Sequence, residues 1–382
     1  MKRLHLSAVL AASLCMVSQP GVRAQAQVTA QGSSKSAPAS QPAAYRVETG
    51  APLPPKARAE AEAIVAAGVP GVTVVVGRNG QVLSRASVGD MGAEVRRPIA
   101  SASKWLTAAV VLQLVGEGKL SLDKPISTWL PDTPPAAGAV TLRQLLSQTS
   151  GLGPAGAEMA QDHRITLGQS TQAITSAPPA TPPGSTFVYG GPGFQVAGAV
   201  VEAATGQSWE AVFQARIAKP LSMTQTHWTH FSRDAAAQFP LAETRNPVLQ
   251  GGAVGTAEDY MRFLAMLAAG GVHEGRQILT PEAVELLLAD QTASAKRTPS
   301  GVALLDSAHY ALGNWCEVPD GAGRCGRNSS LGAWGVYPWI DRASGLYGVV
   351  FLYERNDAFR LLPHTTALVA DIIAQDGRGG GR

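Results

Sequence analysis

The chain has 382 residues, 45% of them hydrophobic and 15% charged, which excludes a disordered or fibrous class and leaves room for two ordinary domains or one large composite. The formal net charge of +3 is matched by Lys2, Arg3 and Arg23 within the first 24 residues, which hold no Asp or Glu. The remainder is neutral, so nothing points to nucleic acid as a partner.

Lys2 and Arg3 lead an apolar run through Leu6, Val9, Leu10, Leu14 and Val17, followed by small-residue cleavage options at Val22-Arg23-Ala24 or Ala24-Gln25-Ala26. This is the pattern of a cleaved secretory signal over residues 1–24. The run is too short to span a membrane comfortably, so the expectation is a periplasmic or secreted protein with no stable membrane span once the signal is removed. Residues 25–55, rich in Ala, Gln, Ser and Pro without periodicity, read as a flexible linker, residues 56–376 as the folded domain and residues 377–382 as a loose tail.

The folded body opens with a helical pattern from Ala57 to Ala67. Val72–Val76 and Val82–Val88 then flank Asn79-Gly80, a hairpin signal. From Ser101 to Val115 the pattern is apolar nearly all round, which predicts a buried helix ended by Gly116 and Gly118. Residues 119–250 are loop-rich, with short helical patterns at Leu142–Ser147, Gly193–Ala204 and Trp209–Ile217, and read as an inserted helical subdomain. Helices resume after Thr256, an N-cap followed by Glu258 and Asp259, and after Thr280, where Pro281 takes the first helical position. Strand-like runs near Ala311–Glu317, Ala333–Ile340 and Leu346–Tyr353 precede a closing helix from about Pro363 to Ala374. The fold class is α+β: an antiparallel sheet built from both chain ends, flanked by helices, with the helical subdomain inserted.

A serine hydrolase needs a nucleophile, a base for its proton and donors for the developing oxyanion. No Gly-x-Ser-x-Gly elbow occurs in the sequence, which disfavours the α/β-hydrolase solution. Ser-x-x-Lys on a helix offers another, because residues three apart share a face and burial lowers the lysine pKa toward a useful range. The pattern occurs twice, at Ser101-Ala-Ser-Lys104 and Ser121-Leu-Asp-Lys124. Ser101 begins the buried helix; Ser121 follows its Gly-marked end and reads as a polar turn.

Ordered signposts accompany Ser101: Leu120-Ser-Leu-Asp-Lys-Pro, Thr141-Leu-Arg-Gln-Leu-Leu-Ser-Gln-Thr-Ser-Gly-Leu, Pro183-Gly-Ser-Thr-Phe-Val-Tyr189, Pro220-Leu-Ser-Met and Gly255-Thr-Ala-Glu-Asp-Tyr260. From about residue 57 to 375 the chain resembles the serine β-lactamase and penicillin-binding-protein superfamily, in particular its class C β-lactamase and family VIII esterase branch. The resemblance implies a β-lactamase/D,D-peptidase-like fold, Ser101 as nucleophile, Lys104 and Tyr189 as proton handlers, and an oxyanion hole made by the backbone N–H groups of Ser101 and Ala333. It also implies no metal or organic cofactor.

Two departures bear on substrate. The family's Tyr-x-Asn reads Tyr189-Gly190-Gly191 here, and its Lys-Thr-Gly or His-x-Gly aligns with Ser330-Leu331-Gly332. With the asparagine and the cation gone, the expectation is an esterase or amidase taking a small ester, amide or lactam, with Gly191, Ser330, Gly332 and Trp334 as substrate-binding positions. The alternatives are a β-lactamase or D,D-peptidase, or a non-catalytic wall-binding or sensor relative. Arg327, nearby in sequence, could substitute for the missing cation. Tyr189 and Lys104 are expected to titrate as a coupled pair, the ammonium stabilising the phenolate.

Once the signal has removed Cys15, Cys316 and Cys325 remain, nine positions apart. In an oxidising compartment they suggest a local disulfide, against two unpaired small apolar residues. His227-Trp-Thr-His230 has metal-like spacing but lacks a third ligand and reads as a surface loop. Trp334 and Trp339, five apart, are expected on opposite faces of one strand.

Overall fold

The computed structural model describes residues 44–230, 241–297, 303–354 and 358–379. The expected signal and most of the expected linker lie outside the described residues. An eight-stranded antiparallel sheet is built from β1 (Tyr45–Gly50), β2 (Gly71–Arg78), β3 (Gln81–Gly89), β4 (His309–Tyr310), β5 (Trp315–Cys316), β6 (Arg327–Ser329), β7 (Tyr337–Asp341) and β8 (Leu346–Leu352), in the spatial order β1-β3-β2-β8-β7-β6-β5-β4. The two chain ends therefore meet at the β2–β8 pair, as the sequence predicts.

The hairpin forms where Asn79-Gly80 places it. Asn79 at φ 51° and Gly80 at φ 77° both occupy left-handed backbone, which a two-residue type I′ turn requires. In β2 the side chains alternate. Val72, Val74 and Val76 enter a core with α1 (Pro55–Ala66) and α6 (Leu362–Gly379), while Val75 enters the larger core on the other face. Burying each of these valines stabilises the fold by about 1.5–3 kcal/mol.

That larger core surrounds α2 (Ser103–Gly116), which is buried on every side from Ser103 to Leu112. Around it stand α3 (Pro192–Thr205), α4 (Ala257–Ala268) and α5 (Pro281–Leu288). Thr256 caps α4 by accepting from the Asp259 N–H, and Thr280 caps α5 by accepting from the Ala283 N–H; each such cap contributes about 1 kcal/mol. The short helices Leu142–Leu146, Leu167–Thr175 and Trp209–Phe213 come between α2 and α4 in the chain and pack against α3, the last running into a π-helical turn at Gln214–Ala218. Among the described residues, no helix is long and apolar enough to cross a membrane.

Four expectations are corrected. Residues 45–50, assigned to the linker by composition, pair with β3 as an edge strand whose outward side chains hide it from hydrophobic patterning. The run at Ala311–Glu317 is two strands joined by a turn: the Ala311 N–H donates to the Asn314 carbonyl at 2.8 Å, and Gly313 at φ 77° carries the reversal. A β-carbon at Gly313 would stand 2.5 Å from the Lys104 carbonyl oxygen, so this turn packs directly on α2. Residues 333–336 form a turn before β7 rather than part of it, closed by the Gly335 N–H donating to the Gly332 carbonyl at 2.9 Å. At the C-terminal end, α6 carries its backbone helix through Gly379 into the stretch expected to be loose.

Candidate active site

Ser101 sits in the 3-10 turn Ala100–Ala102 that leads into α2. Ala100 adopts φ 46°, a left-handed conformation that costs an L-residue about 1–2 kcal/mol. Two loops close on this turn. A β-carbon at Gly332 would lie 2.4 Å from the Ile99 carbonyl oxygen, and one at Gly251 would lie 3.5 Å from the Ala100 carbonyl carbon. The first approach leaves no room for a side chain at Gly332, whereas at Gly251 a β-carbon would make an ordinary van der Waals contact.

Lys104 is the second residue of α2, 3% exposed, and its Nζ donates to Ser101 Oγ at 3.1 Å and to the Gln250 carbonyl at 2.8 Å. Burial lowers its pKa to about 7, because the charged ammonium loses solvation that two neutral oxygens only partly replace. The loop 249–253 is tied along the same helix face: Thr107 Oγ1 donates to the Leu249 carbonyl at 3.0 Å, and the Ala253 N–H donates to Ser103 Oγ at 3.2 Å. By contrast Ser121 accepts from the Asp123 N–H in an exposed turn, and Lys124 is exposed, so the second Ser-x-x-Lys is a solvated turn.

Tyr189 completes the cluster. Its hydroxyl is hydrogen-bonded to Ser101, and burial pushes its pKa up to about 12, against a smaller lowering by that bond. The ring stacks on Trp315 at 5.0 Å between centroids and meets Tyr310 edge-on at 5.9 Å. Lys104 Nζ lies 4.8 Å from the Tyr189 ring centroid. The expected stabilisation of a phenolate is therefore corrected: desolvation dominates, and the cation meets the ring face. The phenol stays protonated where Lys104 titrates.

Gln148 is a functional residue that sequence reasoning misses. Its side-chain Nε2 donates to the Gly190 carbonyl at 3.0 Å and its Oε1 accepts from the Gly190 N–H at 3.1 Å, so one carboxamide holds the peptide next to Tyr189 from both sides. Gln148 stands inside the Ser147-Gln-Thr-Ser-Gly signpost. That was the available signal, but nothing local reveals a partner forty-two residues away.

Ser330 directly follows β6 and is 3% exposed; its hydroxyl donates toward the Ser101 carbonyl at 3.3 Å. A buried neutral hydroxyl thus occupies the position where the resemblance implies a cation. Arg327 does not replace it, since its guanidinium pairs with Asp341 across the β6–β7 ladder at 3.4 Å. Gly332 touches Ile99 as described, and Ala333 follows it in the turn. Trp334 lies in that same turn, not on a strand, and packs edge-on against Tyr353 at 6.0 Å. The structure thus gathers Ser101, Lys104, Tyr189, Gly191, Ser330 and Gly332 around one turn, and Trp334 has Tyr353 as its aromatic neighbour.

Cys316 and Cys325 are joined in a disulfide beside Trp315. His227 and His230 separate. His227 lies on the strand His227–Trp228 and pairs with Glu210 at 2.9 Å, whereas the His230 ring packs 3.6 Å from that of His163.

Comparison with known proteins matches residues 57–370 to the Beta-lactamase family. The chain is 36% identical over 179 residues to esterase EstB of Burkholderia gladioli, a match covering 40% of this chain and 45% of the esterase. It is 29% identical over 250 residues to penicillin-binding protein 4 of Amycolatopsis lactamdurans, covering 57% of this chain and 63% of that protein. Both alignments span less than two thirds of the relative. A crystal structure from Bacteroides dorei, provisionally assigned as a β-lactamase, superposes with a TM-score of 0.72 at 32% identity, covering 82% of this chain and 98% of that one.

Proposed function

We propose, from the premise that this chain belongs to the β-lactamase family of serine hydrolases, that it is an esterase or amidase that forms an acyl-enzyme at Ser101. The observation that carries this is the 3.1 Å hydrogen bond between Lys104 Nζ and Ser101 Oγ, made by a lysine whose pKa burial lowers to about 7. A lysine so placed is neutral for much of the time at neutral pH and can accept the serine proton.

In the acylation step Lys104 takes the Ser101 proton as Oγ bonds to the substrate carbonyl carbon, whose π electrons move onto oxygen. The backbone N–H groups of Ser101 and Ala333 are the proposed donors to that oxyanion. Collapse of the intermediate breaks the bond to the leaving group, which takes a proton from the Tyr189 phenol; Lys104 returns its proton to the phenolate. Water then attacks the acyl-enzyme with the same groups acting in reverse, and the acid leaves with Ser101 restored. The pKa near 12 suits Tyr189 to this donor role.

The preference for esters and amides over β-lactams rests on Ser330. A buried hydroxyl engaged with the Ser101 carbonyl offers no charge to a substrate carboxylate. Export to the periplasm or the medium is part of the proposal, supported by the Cys316–Cys325 disulfide. The test is to incubate the mature protein with a fluorophosphonate probe, a short p-nitrophenyl ester and a chromogenic cephalosporin, each beside Ser101→Ala. Labelling and ester turnover that vanish in Ser101→Ala are expected. Absence of both in the wild type would overturn the enzyme reading in favour of a wall-binding or sensor role, and fast cephalosporin turnover would overturn the esterase preference in favour of a β-lactamase.

A further inference from the structure

Gln250 contributes more to this site than its carbonyl. That carbonyl fixes Lys104 Nζ at 2.8 Å, while its side chain folds over Gly191. A β-carbon at Gly191 would lie 2.7 Å from Gln250 Nε2, 2.8 Å from Cδ and 2.9 Å from Cγ. The glycine after Tyr189-Gly190 is therefore what admits the carboxamide. Gln250 is half-buried, and its Oε1 is buried without a hydrogen-bond partner among the described residues. Buried acceptors are ordinarily satisfied, so an unpaired one on the residue whose carbonyl holds Lys104 Nζ calls for a partner.

The remaining polar groups nearby are already engaged. Gln148 spends both ends of its amide on Gly190, Lys104 Nζ is held by two oxygens, and Ser330 donates toward the Ser101 carbonyl. Gln250 presents an acceptor that none of them uses.

We propose that the Gln250 carboxamide is a substrate-binding group that selects acyl donors carrying a hydrogen-bond donor, N–H or O–H, next to the scissile carbonyl. The inference rests on Ser101 being the acylated residue. A substrate N–H or O–H at the α position gives Oε1 its partner; a substrate with CH2 there leaves the acceptor unpaired, and a site built around a hydrogen-bonding group discriminates strongly against an analogue that lacks it. Gly191 belongs to the same device, because any side chain there displaces the amide.

The test compares p-nitrophenyl esters in matched pairs: N-acetylglycyl against 4-oxopentanoyl, which exchanges N–H for CH2, and 2-hydroxypropanoyl against propanoyl, which exchanges O–H for H. The wild type is expected to favour the donor member of at least one pair by about tenfold or more in kcat/KM, a factor equal to about 1.4 kcal/mol. The pair that responds identifies whether the donor is an amide or a hydroxyl. Gln250→Ala and Gly191→Ala should each lose the donor ester selectively, whereas Gln250→Glu, which keeps an acceptor oxygen, should retain the preference. Equal losses on both members of each pair, or no preference in the wild type, overturn the proposal. If the wild type hydrolyses none of the four and takes no fluorophosphonate label, the hydrolase reading fails by itself. The subsite is then read from calorimetric binding of the corresponding free acids to the wild type and Gln250→Ala, where the same donor preference supports it and equal affinities sink it.

Discussion

Lys104 Nζ donates to Ser101 Oγ at 3.1 Å from a position closed to solvent, with a pKa lowered to about 7. Only the neutral amine accepts a proton, so kcat/KM for an ester should rise with pH through about 7 and then level, since Tyr189 ionises only near 12. Lys104→Met should reduce kcat/KM about a thousandfold, and Lys104→Arg should not restore it, because guanidinium stays charged. A residual rate with the same pH inflection in Lys104→Met would assign the titration to another group.

The same lysine makes a stability prediction. Its folded pKa lies below its unfolded value, so between about 7 and about 10.4 the unfolded state binds more protons and stability rises with pH. Below 7 both states carry the charge and the penalty of burying it is fully present. Thermal unfolding of the wild type should therefore shift upward from pH 6.5 to pH 9 relative to Lys104→Met, and at pH 6.5 the methionine variant should be the more stable of the two.

Tyr189 acts through its hydroxyl and is held by its ring, stacked on Trp315 at 5.0 Å. Tyr189→Phe keeps the stack and removes the bond to Ser101, so acylation should fall about a hundredfold with little change in Tm. Trp315→Ala removes a support that is 4% exposed and should cost about 3–5 kcal/mol of stability as well as activity. Single-turnover acylation and thermal melts, measured on both variants, separate the two effects; a Tyr189→Phe enzyme with unchanged acylation would exclude the phenol from proton transfer.

What was legible in the sequence was local. Asn79-Gly80 announced its hairpin through two positive φ angles, Thr256 and Thr280 announced their helices through hydroxyls that accept from the third residue, and Ser101 was separated from Ser121 by the apolar helix behind it. The missed features depend on distant chain. β1 pairs with β3 while five of its six residues face solvent, so no periodicity marks it. Gln148 reaches Gly190 and Gln250 covers Gly191, contacts that spacing cannot encode. The titration of Tyr189 escapes the sequence for a related reason: proximity to Lys104 is legible there, but desolvation by burial beside the Trp315 and Tyr310 rings is not.

Gln148 shows how a support beside the catalytic tyrosine can be tested by choosing the replacement. It sits at φ 63°, where glycine is unstrained and alanine is not. Both replacements lose the two bonds to Gly190, worth about 0.5–1.5 kcal/mol each. Gln148→Gly should therefore melt above Gln148→Ala although both lose ester turnover to a similar extent, because turnover follows the clamp and stability follows clamp plus backbone. Equal melting temperatures would remove the backbone argument, and full activity in either variant would remove the clamp.

The Cys316–Cys325 disulfide closes a hairpin that is already hydrogen-bonded: the Gly326 N–H donates to the Val318 carbonyl at 2.7 Å and the Glu317 N–H to the Arg327 carbonyl at 2.9 Å. The bond therefore acts mainly on the unfolded chain, where a loop of this length is worth about 2–3 kcal/mol in the chain-entropy model. Replacing both cysteines by serine, or reducing the bond, should lower Tm by a few degrees. Activity well below that temperature should persist, since Trp315 keeps its place through ring contacts with Phe187, Tyr310 and Tyr189. A loss of turnover at 25 °C without unfolding would show instead that the disulfide sets the position of Trp315 and, through it, the hydroxyl of Tyr189.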